Sequence, residues 1–114
     1  MVYNRSTLVD VGGHLSCKFY SYYSTVAQQY DAGEAARHSH FEKLNFDAVR
    51  DVIRREEIEC EFKWGENGGW DVFLTDEEFE WAKRELEGMK AAKGYVSTLK
   101  IFDGEAAAKV FNVE

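Results

Sequence analysis

The stretch IECEFKWGENGGWDVFL, residues 58–74, decides how this chain is to be read. Ile58, Cys60, Phe62 and Trp64 alternate with Glu59, Glu61 and Lys63, the two-residue repeat of a half-buried strand. Gly65, Gly68, Gly69 and Asn67 tolerate positive φ and can turn the chain, and WDVFL supplies a returning strand. The spacing predicts a β-hairpin over 58–74. Most of the remaining chain has the period of a helix. The expected fold class is therefore α+β: a helix-rich single domain with two long helices, this hairpin, a capped helix at about 76–93 and a short C-terminal strand-helix element.

Upstream of the hairpin, Phe19, Tyr22, Tyr23, Val26 and Tyr30 recur at three- and four-residue steps, the stripe of a first helix with an aromatic face. Asp31 can cap a second helix, with Glu34 in the capping-box position, and that helix can run to about Glu57. Phe41, Leu44, Ala48, Val52 and Ile53 are its expected buried stripe, with Arg37, Lys43, Arg50 and Arg54 facing outward. Downstream, Thr75 and Glu78 form a capping box, and Leu74 and Phe79 occupy the positions of a hydrophobic staple. Phe79, Ala82, Leu86 and Met89 form the inner stripe of this third helix, and Lys90, Lys93 and Gly94 mark its end. YVSTLKIF reads as a short strand, and Asp103 can cap a last helix over GEAAAKVF.

Composition limits the classes of function. A chain of 114 residues holds one core of modest size. Its 21 acidic against 14 basic residues give a net charge of −7, which repels phosphate backbones and anionic lipid headgroups. Nucleic acid and membrane are therefore not expected partners. No apolar run approaches the roughly 18 residues of a membrane span, and MVYNRSTLVDV lacks a signal-type apolar segment, so the expected location is cytoplasmic. Cys17 and Cys60 have no neighbouring cysteine and read as reduced thiols. The chain has no proline where about six would be average, in keeping with long uninterrupted helices.

Among chemistry-bearing residues, His38 and His40 lie two apart on a helix, roughly 200° around its axis, and cannot share one metal ion. The acidic clusters REEIECE and TDEEFEWAKRELE read as solvated helix faces pairing with nearby Lys83 and Arg84. Trp64, Trp70 and Trp81 read as packing of hairpin on helix. Gly12, Gly13 and His14, at the head of VGGHLSCKFYSYY, form a turn whose backbone can come close to a ligand before the first helix begins.

Taken with GEAARHSHFEKLN, the hairpin segment and LKIFDGEAAAKVF, that glycine turn resembles the interior of FAD-dependent oxidoreductases of the D-amino-acid-oxidase type, in the branch abundant in filamentous fungi. The likeness spans roughly residues 9–114. It implies that Gly12, Gly13 and His14 are the cofactor-binding loop beside a flavin, that FAD is the cofactor, and that the activity is oxidation of an amine or amino acid. Val11 and Asp10 stand where that loop usually has asparagine and arginine, and none of the nine glycines forms the G-x-G-x-x-G of a dinucleotide-binding unit. The resemblance thus implies a partial domain that neither holds FAD nor catalyses alone. Two alternatives stand beside it: a non-catalytic interaction protein that self-associates or binds a partner through the face left by missing domains, and one half of a split flavoenzyme. No catalytic residue and no metal ligand is assigned.

Overall fold

A computed structural model describes residues 17–60 and 71–111 of the chain. Four helices account for the regular structure among the described residues: α1 (Tyr23–Gln29), α2 (Ala32–Arg55), α3 (Asp76–Ala91) and α4 (Gly104–Phe111). There is no strand among the described residues. The chain is all-helical there, so the α+β expectation is corrected.

The correction has a local cause at each place where a strand was expected. Ile58 stands where the hairpin would open, but its N–H donates to the Ile53 carbonyl at 3.0 Å and Glu57 N–H donates to Arg54 at 3.3 Å, closing the end of α2. Glu57 adopts φ 48° to make this turn. These paired bonds are the Schellman ending, so Ile58 belongs to the helix stop. On the return side, Leu74 N–H donates to the Glu78 carboxylate at 3.3 Å, which assigns it to the start of α3. Residues 61–70, the middle of the expected hairpin and the site of Trp64 and Trp70, lie outside the described residues. In the expected C-terminal strand, Tyr95 N–H donates to Ser39 Oγ at 2.7 Å and Leu99 N–H to Val96 at 3.1 Å. The backbone of that segment is used by a side chain of α2 and by a turn, and no strand among the described residues pairs with it.

Helix starts follow the sequence closely. Asp31 Oδ1 accepts from Glu34 N–H at 2.7 Å and Thr75 Oγ1 from Glu78 N–H at 3.2 Å, each satisfying an N–H group that the helix itself leaves unpaired. The reciprocal half of the box is absent at α2, where Glu34 pairs instead with Arg37 at 3.3 Å. The expected staple is also corrected: Leu74 is 91% exposed, and Phe73 meets Phe79 with ring centroids 6.0 Å apart. The first of the two expected long helices is short, seven residues, because residues 19–22 form a turn and Tyr30 leaves helical geometry at φ −125°, ψ −90°.

Helices α1, α2 and α3 pack on one another, and α4 touches none of them. Val26, Ala35 and Met89 make the core, with Tyr22, Tyr23 and Val96 packed around it. Close approach depends on two glycines. A Cβ on Gly88 would collide with the Tyr23 ring, and one on Gly94 would collide with Met89 Sδ and stand 2.8 Å from Ser39 Oγ. A glycine is the usual left-handed residue at a helix end. At the end of α3 Lys93 takes that place, at φ 62°, and Gly94 is small because the chain passes tightly over Met89. No helix among the described residues is long and apolar enough to cross a membrane.

Candidate functional site

The turn at Gly12, Gly13 and His14 lies outside the described residues. Where the described residues begin, Cys17 and Lys18 both bond to one residue of α2, Glu42. Lys18 N–H donates to Glu42 Oε2 at 3.0 Å, and the Cys17 thiol donates to the Glu42 backbone carbonyl at 3.7 Å. Burial pushes the Cys17 thiol up, and the Glu42 carboxylate adds to the rise. Such a thiol stays protonated at neutral pH and is a poor nucleophile. Tyr22 is held up in the same way, by burial first and Glu42 second. Its buried hydroxyl makes no hydrogen bond of ordinary geometry, so Glu42 acts on it more through charge than through hydrogen bonding. Tyr20, also raised by burial, donates to Asp71 Oδ2. These groups keep their protons. The bonds at Cys17 and Lys18 tie the segment before α1 to α2, and Tyr20 ties it to the segment before α3.

The two histidines go separate ways, as their spacing requires. His38 lies 3.8 Å from Glu34 and beside the Tyr22 ring, whereas His40 Nε2 meets the Lys93 carbonyl at 3.0 Å. His40 thereby joins a clamp between α2 and the segment after α3. Tyr95 is its centre: its N–H is held by Ser39, its ring meets Phe19 at 5.1 Å, and Lys43 Nζ lies 5.4 Å from the ring centroid.

Sequence reasoning missed Glu85. It falls in a segment that reads as a solvated acidic face, yet it is 4% exposed, the one buried carboxylate among the described residues. It accepts from Ser24 N–H at 2.7 Å and from the Ser24 hydroxyl. Tyr22, at the cap position of α1, makes no side-chain capping bond, so Glu85 of α3 caps α1 from outside the helix. The signal was present in the spacing: Glu85 follows Ala82 by three residues and precedes Met89 by four, on the inner stripe.

The largest departure concerns α2. Most of its expected buried stripe is outside: Phe41 and Leu44 are each 67% exposed, Ala48 is exposed and Val52 is 39% exposed, while Ile53 is half-buried. The face that packs carries Ala35, Ala36 and Ser39, with Lys43 and Arg50 half-buried beside them. Phe41 and Leu44, with Glu34, Arg37, His38 and His40, line a shallow groove on the outer side. An apolar row framed by charges on a helix can recognise another surface. No family model, no curated protein and no solved structure matches this chain.

Proposed function

We propose that the chain works by contact, as an interaction module that presents the outer face of α2. One observation carries this reading. Among the described residues, five apolar side chains are buried, four of them no larger than valine, whereas eleven large hydrophobic residues are exposed. Full burial of a side chain such as leucine or phenylalanine stabilises by about 1.5–3 kcal/mol. A contiguous apolar row in water therefore has a large gain available from covering, the usual mark of an interaction surface. The acidic balance of −7 works against a nucleic-acid partner.

The test uses an apolar dye at dilute protein concentration. Anilinonaphthalene sulfonate should bind the wild-type chain, and Phe41→Ser with Leu44→Ser should lower its fluorescence severalfold with unchanged helical circular dichroism. Equal dye binding by the two proteins would refute the surface. Titration with FAD should leave flavin fluorescence and melting temperature unchanged. Saturable FAD binding with a raised melting temperature would instead favour the oxidoreductase role implied by the resemblance.

A further inference from the structure

The pattern along the outer face of α2 identifies its occupant. We infer that this face pairs with the same face of a second copy of the chain, the two α2 helices running antiparallel; the inference rests on the contact role proposed above. At about 100° per residue, Phe41, Leu44, Ala48 and Val52 fall within one narrow arc of the helix. A twofold axis between residues 44 and 45 sets Phe41 opposite Ala48 of the second copy, a large side chain against a small one. Leu44 then meets Leu44 beside the axis.

The same register matches the charges. Glu34 comes level with Arg55 of the second copy, and Arg37, level with Val52, stands one residue from Asp51. Arg37, Asp51 and Arg55 have side chains 77%, 64% and 71% exposed, and each pairs with a neighbour in its own helix or at its end. Such exposed pairs are weak and can exchange partners. A parallel pairing would set Phe41 on Phe41 and Arg55 on Arg55. Charge also permits contact at this helix: α2 carries five basic and four acidic residues, whereas the whole chain stands at −7. That near-balance lets two copies meet at α2 with little of the repulsion that the net charge of the chain would otherwise impose. Its 24 residues give a seam of about 36 Å, enough for a modest interface.

Sedimentation velocity of the full chain over rising concentration reads the pairing. A dimer is expected at submillimolar concentration, with dye binding falling as it forms. Leu44→Asp, which sets two carboxylates beside the axis, should abolish it. Arg37→Glu and Asp51→Arg should each weaken the dimer about tenfold, and the double variant should regain wild-type association because the exchanged charges meet again. Both positions are exposed, so the swap reads pairing without disturbing the fold. A wild-type chain that stays monomeric, or a double variant as weak as the singles, overturns self-pairing. If a monomeric chain still shows the dye difference at Phe41 and Leu44, the contact role survives without the second copy; if the dye difference is absent too, both fail.

Discussion

The contact of α1 with α3 and the outer face of α2 treat hydrophobicity in opposite ways. At the first, a tyrosine lies against a glycine and a serine is bonded to a buried glutamate. At the second, phenylalanine, leucine and valine stand in water. Burial in this molecule therefore follows how closely backbones can approach and which polar groups can be satisfied. The apolar row on α2 stays outside because α1, only seven residues long, reaches α2 on its other side.

Substitutions can break this comparison in order of expected effect. Met89 is fully buried, so Met89→Ala should cost about 3 kcal/mol by chemical denaturation, from lost transfer energy and a residual cavity. Phe41→Ala, although it removes more atoms, should stay within about 0.5 kcal/mol in dilute solution. Equal losses at the two positions would erase the distinction between the regions. Next comes Gly88→Ala, whose new methyl group meets the Tyr23 ring. Overpacking there should outweigh the better helix propensity of alanine and cost about 2 kcal/mol, and Tyr23→Ala in the same chain should remove most of that penalty.

Glu85→Gln keeps the shape and removes the charge from the external cap of α1. A loss of about 1.5 kcal/mol is expected, since hydrogen bonds to a charged acceptor exceed neutral ones by about that amount. Ser24→Ala added to Glu85→Gln should then cost little more, which a double-mutant cycle measures. In the opposite direction, Lys93→Gly should stabilise by about 1 kcal/mol, because Lys93 sits at φ 62°, where a glycine has no Cβ to crowd.

The smallest expected effect depends on pH. The hydrogen bond from Lys43 holds the Asp47 carboxyl below its ordinary value, against a smaller desolvation effect and with help from the charges of Lys43 and Arg50. A lowered folded-state value means that the stabilisation is present above the ordinary aspartate range and is lost as pH falls through the folded value. Asp47→Asn should therefore flatten the acid limb of the melting-temperature curve and leave neutral behaviour nearly unchanged. An unaltered acid limb would show that this pair contributes nothing measurable.

Part of this was legible from residue order, and the divide follows the range of the interactions. Asp31 and Thr75 mark helix starts because a cap is made within three residues of its own position, and both caps form at the expected places. The inner stripe of α3 through Ala82 and Met89 was likewise readable from its period. The alternation at 58–74 misled, because a strand exists only with a partner strand, while the Schellman ending at Ile58 and the helix start at Leu74 use their backbone groups locally. At the candidate site, the apolar row of α2 was visible in the sequence, but its side of the helix was not.

Residue order by itself determined an acidic chain, its helix caps and the amphipathic stripes of α2 and α3. Tertiary structure alone decided which stripe is covered. A stripe records that a face is apolar; whether it is buried depends on a neighbour long enough to cover it. The close packing at Gly88 and Gly94, the cap that Glu85 supplies to α1, and the exposure of Phe41 and Leu44 all arise from contacts between residues far apart in the chain.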